Sequence, residues 1–264
     1  MFMVHKAKKS LGQNFLKSIP ALNMMTEQGE IKKEDTIIEI GPGKGALTQK
    51  LLEKSNKVIA IEKDRDLIDI LTERFTEEIK NGKLEIINGD CLDFEPKNNK
   101  YKIIANIPYN ITGAILKKFL SCEFQPEKMV LLVQHEVARR IVASDKKESI
   151  LSLSVKAYGD PKYIMKVGKR FFSPSPKVDS AIILINNISN KYFSDKNEES
   201  SFFDAVKSGF AHKRKVLRKN LEEIAPLSVI DNMYKELKID AKTRAEDLPF
   251  PTWIKINNFL KNHK

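Results

Sequence analysis

The tetrapeptide Asn106-Ile107-Pro108-Tyr109 has the residue types needed to hold an amino group attached to a conjugated ring. Such an amino group is a poor nucleophile, because its lone pair is delocalised. The Asn106 side-chain oxygen and the Ile107 carbonyl can accept its two hydrogens and stabilise the positive charge that develops on nitrogen during attack on a methyl sulfonium. Pro108 restricts the backbone here, and Tyr109 offers a ring for base stacking. The motif predicts methyl transfer to the amino group of an adenine.

Three further features precede this motif, each at the end of an apolar, strand-like run. Gly41 and Gly43 lie in a glycine-rich turn after the first run, Glu62 ends the second, and Asp90 follows the third. Glycines let the backbone pass close to a ligand, and an acid after the second strand accepts hydrogen bonds from ribose hydroxyls. Asp90 is placed to accept a hydrogen bond from the amino group of a nucleoside. Together these residues predict a nucleoside cofactor, S-adenosylmethionine.

Predicted strands and helices alternate between about residue 36 and residue 185. The predicted strands are Thr36–Ile40, Lys57–Glu62, Leu84–Ile87, Lys102–Ala105, Met129–Gln134, Leu151–Ala157, Tyr163–Val167 and Ala181–Ile185. The predicted helices are Gly45–Lys54, Asp64–Lys80, Ile111–Leu120 and His135–Ala143. This alternation predicts an α/β fold whose mostly parallel sheet is covered by helices on both faces.

A polar stretch, Asn186–Ser201, interrupts the alternation and is predicted to be a linker. Helical patterns follow at Phe202–Ala211, Lys213–Ile224, Leu227–Leu237 and Thr252–Leu260. The sequence therefore predicts two domains: a cofactor-binding catalytic domain over residues 1–188 and a small helical, RNA-binding domain over residues 200–264.

The net charge of +11 is concentrated in three windows without acidic residues: 1–26, 161–178 and 205–221. Clustered positive charge is typical of a nucleic-acid-binding face, although solvated helix faces are the plainer interpretation. No apolar run approaches the roughly 18 residues of a spanning helix, and the N-terminus lacks the apolar region of a secretory signal. Cys91 and Cys122 fit neither a disulfide framework nor a metal site. We expect a cytoplasmic protein with no membrane segment and no metal.

Four runs of the chain resemble the ribosomal RNA adenine dimethyltransferase family, in its small-subunit branch. They are Lys9–Leu16, Gly41–Gly45, Asn106–Thr112 and Phe172–Ala181. The resemblance implies a Rossmann-like class I S-adenosylmethionine-dependent methyltransferase domain followed by a small C-terminal helical domain. It also implies dimethylation of N6 of two adjacent adenosines in the 3′-terminal hairpin of 16S rRNA in the assembling 30S subunit, by a monomer with a role in subunit biogenesis.

The same resemblance implies individual residue roles. The implied cofactor-binding residues are Asn14, Leu16, Gly41, Gly43, Glu62, Asp90 and Asn106. Phe172 is implied to form a stacking wall opposite Tyr109, although Phe171-Phe172 beside two prolines fits a core position equally well. The predicted RNA-binding residues are Lys8, Lys9, Arg170, Lys177, Lys213, Arg214, Lys215 and Arg218. Lys213 stands where the family has arginine, which weakens bidentate phosphate contact more than it changes the charge.

Other functions remain open at this point. Macrolide-resistance methyltransferases of large-subunit rRNA share Asn-Ile-Pro-Tyr, but Lys177–Ser180 and Lys8–Gly12 favour the small-subunit branch. A release-factor glutamine methyltransferase uses a related tetrapeptide but does not need the clustered charge. A ribosome-assembly factor whose binding matters more than its methylation is compatible with every feature. A nicotinamide oxidoreductase is disfavoured by the G-x-G-x-G spacing and by the Asn106–Tyr109 motif.

Overall fold

The protein divides into two compact units in its computed structural model, which describes residues 7–8 and 11–263. The first unit contains the described residues up to Ala138 together with Asp160–Ile188. The second contains Arg139–Gly159 together with the described residues from Ser189 onward. The chain therefore leaves the first unit, returns to it for three strands, and then leaves it again.

The strands all lie in the first unit. They are β1 (Phe15–Leu16), β2 (Thr36–Ile40), β3 (Lys57–Glu62), β4 (Leu84–Asn88), β5 (Tyr101–Asn106), β6 (Lys128–Gln134), β7 (Asp160–Val167), β8 (Phe172–Ser173) and β9 (Ser180–Asn186). Seven of them form one sheet in the order β4-β3-β2-β5-β6-β9-β7, and β1 pairs with β8. The five strands from β4 to β6 run parallel, and β9 and β7 are antiparallel to their neighbours. The prediction of a mostly parallel sheet is confirmed.

The helices of the first unit cover this sheet. They are α1 (Ile19–Gln28), α2 (Ala46–Leu52), α3 (Arg65–Arg74), α4 (Thr76–Lys80), α5 (Thr112–Ser121) and α6 (His135–Val142), the last of which continues into the second unit. The predicted helix Asp64–Lys80 is broken at Phe75, whose backbone is not helical. Phe75 is buried against Gly45, so its side chain turns into the core at the break.

Parallel pairing aligns the carboxyl ends of β2 to β5 at one edge of the sheet. Ile40 pairs with Ile61, and Glu62 pairs with Asn88. The inner strands β2, β5 and β6 are apolar because both of their faces are buried, and Ile37, Ile103 and Val130 have no exposed surface, whereas the edge strand β4 is partly exposed. Burial of this kind holds the strand ends rigidly, so the residues that follow each strand are fixed relative to one another.

The helices α7 (Ile150–Lys156), α8 (Lys196–Gly209), α9 (Leu217–Leu221), α10 (Leu227–Glu236) and α11 (Phe250–Lys261) belong to the second unit. The predicted strand Leu151–Ala157 is wrong, because this run forms α7. Short apolar runs do not distinguish a strand from a buried helix. Ser149 caps α7: its side chain accepts from the Ser152 backbone N–H, and its own N–H donates to the Ser152 side chain.

The predicted division at residues 1–188 and 200–264 is wrong for Arg139–Gly159, which lies in the second unit. Tyr158 gives the physical reason. Its ring contacts Phe193 and Phe203, and its hydroxyl donates to Glu199 at 2.7 Å. These aromatic contacts and this hydrogen bond join the inserted segment to residues that follow Ser189.

Two predictions near the C-terminal helices need correction. The predicted linker Asn186–Ser201 contains the start of α8, which Asp195 caps by accepting from the Glu198 N–H at 2.8 Å. The predicted helix Lys213–Ile224 is helical only over α9, and Lys213–Lys215 lie in an exposed turn. Val216 has extended backbone angles, so the helix begins after it.

Within the part of the chain that is described, no helix is both long and apolar enough to cross a membrane.

Candidate active site

A cavity of about 370 Å³ lies in the first unit at the carboxyl ends of β2 to β5. That volume is in the range of small-molecule sites. Every residue predicted to bind the cofactor lines it, namely Asn14, Leu16, Gly41, Gly43, Glu62, Asp90 and Asn106. The whole Asn106–Tyr109 motif lines it as well. The fold therefore brings together residues that the sequence separates by up to 95 positions: the parallel strands end at the same edge, and the segment around β1 lies beside them.

The glycine turn after β2 forms one wall of the cavity. Gly43 has a φ of +59°, which L side chains rarely adopt. A Cβ at this position would lie 2.9 Å from the ring of Phe15, which also lines the cavity. Only glycine therefore lets the turn pass under Phe15 without displacing it.

Glu62 at the end of β3 is oriented by three backbone donors. Its Oε1 accepts from the N–H groups of Lys63 and Asp64, both at 2.9 Å, and its Oε2 accepts from Gly43 at 3.2 Å. Burial raises the pKa of Glu62, and these backbone hydrogen bonds oppose the rise. A carboxylate has about four acceptor positions, so Glu62 keeps one for a ligand hydroxyl while its orientation stays fixed.

Asp90, after β4, is the second acid of the cavity. Its Oδ1 accepts from the Leu92 N–H at 3.0 Å, and its Oδ2 pairs with the Lys63 ammonium at 2.9 Å. These two contacts hold the pKa of Asp90 below its usual range. Asp90 is therefore an ionised acceptor at neutral pH, as its predicted contact with an adenine amino group requires.

Glu39 is a cavity residue that sequence reasoning missed. It lines the cavity at the end of β2, is 1% exposed, and its Oε2 has no hydrogen-bond partner among the described residues. Burial, together with the nearby Glu62 carboxylate, raises the pKa of Glu39 to about 8. An acid within a buried strand, two residues before a glycine turn, is the sequence signal that identifies it.

The Asn106 side chain is held by the N-terminal segment. Its Nδ2 donates to the Asn14 carbonyl at 3.1 Å, and the Asn14 side chain in turn donates to the Gly12 carbonyl at 3.0 Å. This use of the nitrogen leaves the Asn106 Oδ1 as the acceptor for a substrate. Ile107 is 1% exposed, so its side chain anchors the motif in the core next to Asn106.

Tyr109 is a half-buried aromatic residue of the cavity, as is Phe15. Its hydroxyl shares a hydrogen bond of 2.6 Å with the Ser180 Oγ, and Ser180 is fully buried at the start of β9. Burial raises the pKa of Tyr109, so the phenol stays neutral. The hydrogen bond holds the hydroxyl end of the side chain in place, so the ring stays at the cavity, where it can stack on a base.

Phe172 does not take the position predicted for it. It is 4% exposed, belongs to the hydrophobic core and pairs with Leu16 between β8 and β1. Its neighbour Phe171 is the exposed member of the pair, at 38%. The structure therefore places Phe172 in the core, the second of the two positions that the sequence left open, and its role as an open stacking wall is not what the structure shows.

The predicted RNA-binding residues differ in how free their charges are. Lys8 pairs with Asp64 and Asp66, and Arg218 forms a two-pronged ion pair with Asp231 at 2.7 and 3.0 Å. Lys8 is exposed, and so are Arg170, Lys177, Lys213, Arg214 and Lys215. Lys9 lies outside the described residues. The first two basic windows meet in the first unit, where the Lys17 N–H donates to the Phe171 carbonyl at 2.8 Å, and the third belongs to the second unit.

The cavity fits S-adenosylmethionine on chemical grounds. Glu62 and Asp90 provide oriented acceptors for the nucleoside, and the Glu39 Oε2, which has no partner among the described residues, can form a hydrogen bond with a ligand. Asn106 and Tyr109 lie at the same cavity, ready to hold the acceptor base. A Rossmann-like parallel sheet with this site at its carboxyl edge defines a class I S-adenosylmethionine-dependent methyltransferase.

Comparison with known proteins identifies the family. The model of the ribosomal RNA adenine dimethylase family matches residues 4–262. The chain belongs to that family, and it is an rRNA adenine dimethyltransferase that uses S-adenosylmethionine as the methyl donor.

Individual relatives agree over nearly the full length. The ribosomal RNA small subunit methyltransferase A of Dehalococcoides mccartyi is 40% identical over 258 residues, covering 95% of this chain and 87% of that protein. The protein of the same name from a Nostoc species is 34% identical, covering 97% of this chain and 98% of that protein. The crystal structure of a dimethyladenosine transferase from Plasmodium falciparum has a TM-score of 0.79 at 26% identity, covering 94% of this chain and 98% of that chain. The 23S rRNA methyltransferase ErmE shares the fold, with a TM-score of 0.79 at 23% identity over 94% of this chain and 100% of that chain.

Proposed function

We propose that the protein dimethylates N6 of two adjacent adenosines in the 3′-terminal hairpin of 16S rRNA, in the assembling 30S subunit. The observation that carries this proposal is the hydrogen bond from Asn106 to the Asn14 carbonyl, which turns the Asn106 oxygen into a fixed acceptor beside Tyr109. The relatives named as small-subunit methyltransferases support the choice of rRNA.

The site residues act on the adenine as follows. Tyr109 stacks on the base, and the Asn106 oxygen and Ile107 carbonyl accept the two hydrogens of the amino group. Both hydrogen bonds strengthen as positive charge develops on nitrogen, so they stabilise the transition state more than the ground state. S-adenosylmethionine, when bound, supplies an electrophilic methyl group on a sulfonium. The methylated ammonium is itself acidic, so no strong base is required.

The second methyl transfer to an adenosine requires fewer hydrogen bonds from the same residues. After the first methylation the amine keeps one hydrogen, and one of the two acceptors is enough to hold it. The Tyr109 ring still stacks on the base, because stacking does not depend on the amino group. One site therefore serves both transfers to each adenosine.

We also propose how the protein contacts RNA, where it acts and in which oligomeric state. We assign the exposed turn Lys213–Lys215 to the RNA phosphates, and we assign to the protein a cytoplasmic location, a monomeric state and a role in small-subunit biogenesis. The large-subunit alternative shares the tetrapeptide, and the 23S rRNA methyltransferase shares the fold at an identity that carries no substrate assignment.

One experiment separates the two substrates. The protein is incubated with labelled S-adenosylmethionine and with unmethylated 30S or 50S subunits, and the modified nucleotides are then mapped. We expect label on two adjacent adenosines of the 16S 3′-terminal hairpin and none in 50S RNA. Label confined to 50S RNA would establish the large-subunit alternative.

A further inference from the structure

A further exposed aromatic residue, Phe171, is joined through its backbone to a residue of the cavity and lies outside the machinery described above. Phe15, Leu16 and Lys17 are consecutive cavity residues. The strand pair β1–β8 matches Phe15 with Ser173 and Leu16 with Phe172, and the Lys17 N–H donates to the Phe171 carbonyl at 2.8 Å. A backbone hydrogen bond therefore joins Phe171 to Lys17, a residue of the cavity wall.

Phe171 exposes a large apolar ring at this position. It is 38% exposed, whereas the adjacent Phe172 is buried. The Arg170 guanidinium lies over the ring at 5.0 Å from its centroid. Beside it, Gly168 has no side chain, and a Cβ there would contact the ring at 3.8 Å. A phenyl ring and a guanidinium are the two planar groups on which unpaired bases stack.

The charge around this pair is positive. Lys17, Lys169 and Lys177 are exposed. The nearest acid along the chain, Asp179, accepts from the Lys169 N–H at 2.9 Å and pairs with Lys166 at 2.9 Å. These two contacts hold the pKa of Asp179 below its usual range, and the ion pair offsets its charge. An anionic backbone is therefore attracted to this surface.

We propose that Phe171 and Arg170 form a stacking platform for the nucleotide next to the adenosine in the active site. The platform is too small for a protein partner, because a stable protein interface buries about 800 Å² per partner. One ring and one guanidinium match a single base, and the lysines match its phosphates. The inference rests on the proposed function: with two adjacent adenosines as targets, the platform holds one while the other is methylated.

The test uses steady-state kinetics of the full-length protein on unmethylated 30S subunits. Phe171→Leu keeps the apolar bulk and removes the ring, whereas Phe171→Trp keeps a stacking face. Phe124→Leu is the matched control, because Phe124 is 36% exposed in the same unit. Its carbonyl accepts from Tyr101 at the opposite end of β5 from Asn106.

We expect Phe171→Leu to raise KM about fivefold or more, the effect of losing one base–aromatic stack. Its kcat should stay within about twofold of the wild type, and Phe171→Trp and Phe124→Leu should keep the wild-type KM. The platform is overturned if Phe171→Leu keeps the wild-type KM, if Phe171→Trp fails equally, or if kcat falls together with the melting temperature. Failure of the proposed function is distinguishable, because the wild-type protein itself would then leave 30S subunits unmodified.

Discussion

The side chain of Asn106 donates its Nδ2 hydrogen to the backbone carbonyl of Asn14, 3.1 Å away. The two residues are 92 positions apart in the chain, yet the bond decides which end of the Asn106 amide faces a substrate. An amide that rotated freely would present its donor and its acceptor equally. Asn14 removes that freedom with a backbone group, so preorganisation of the acceptor does not depend on a second side chain.

Tyr109 is expected to act through its ring face. Replacing Tyr109 by Phe removes the hydrogen bond to Ser180 and keeps the ring, so we expect kcat/KM to fall by only a few fold. Replacing it by Ala removes the stacking surface, which is worth about 1–3 kcal/mol, or roughly 5- to 150-fold in kcat/KM. Initial rates on 30S subunits measure both variants. Equal losses in the two would mean that the hydroxyl, and not the ring, carries the role.

Glu39 is expected to make stability depend on pH. Its folded pKa of about 8 lies above the usual value of 4.5, so between these values the folded state holds a proton that the unfolded state has lost. The contribution of Glu39 to the free energy of unfolding is therefore fully present below about pH 4.5. It falls by about 1.4 kcal/mol per pH unit as the pH rises toward 8.

Glu39→Gln removes this titration, so we expect the variant to gain stability relative to the wild type as pH rises from about 5 to 8. Urea denaturation of the cofactor-free protein at several pH values measures the difference. Glu73→Gln, at an exposed position, is the matched control and should show no such trend. A difference between Glu39→Gln and wild type that stays constant with pH would contradict the prediction.

Gly43 is expected to be essential for cofactor binding. Gly43→Ala combines a strained φ of +59° with a Cβ only 2.9 Å from Phe15. We expect affinity for S-adenosylmethionine to fall about tenfold or more, which corresponds to roughly 1.4 kcal/mol. Calorimetric titration measures it. Gly82→Ala is the control, since Gly82 has a φ of +76° but free space around it; an equal loss there would show that backbone strain anywhere in the fold is sufficient.

The turn Lys213–Lys215 is expected to contact RNA phosphates. Replacing Lys213, Arg214 and Lys215 together by Ala should reduce the slope of log affinity against log salt by about 2, at 0.7–0.9 per phosphate contact. Arg218→Ala should change the slope less, because Asp231 already engages its guanidinium through two hydrogen bonds. Binding to 30S subunits over a range of salt concentrations measures both. An unchanged slope in the triple variant would place the RNA contacts elsewhere.

The predicted cofactor-binding residues at the strand ends could be identified from the sequence because each is recognised by its position relative to a predicted strand. Gly41, Glu62, Asp90 and Asn106 each lie at or just after the end of a parallel strand, and parallel strands align their ends without further information. Glu39 was not predicted, because it lies inside β2, one residue before the strand ends, and strand-end positions do not include it.

The sequence-based predictions were wrong where contacts between residues far apart in the chain determine the structure. Phe171 and Phe172 are indistinguishable by type, and only the pairing of β8 with β1 sends Phe172 into the core. The segment Arg139–Gly159 leaves the first unit because Tyr158 packs on aromatic residues beyond Ser189. Local hydrophobic periodicity does not reveal either contact, and the same periodicity led to the wrong prediction of a strand where α7 forms.

The central claim is that the Asn106 acceptor drives methyl transfer to adenine N6. Its most direct test compares wild type and Asn106→Ala in single-turnover reactions on unmethylated 30S subunits, with N6,N6-dimethyladenosine quantified by mass spectrometry. Binding to the same subunits is measured in parallel. We expect the rate to fall by orders of magnitude while the affinity for 30S subunits hardly changes. Dimethyladenosine formed by Asn106→Ala at a rate comparable to that of the wild type would contradict it.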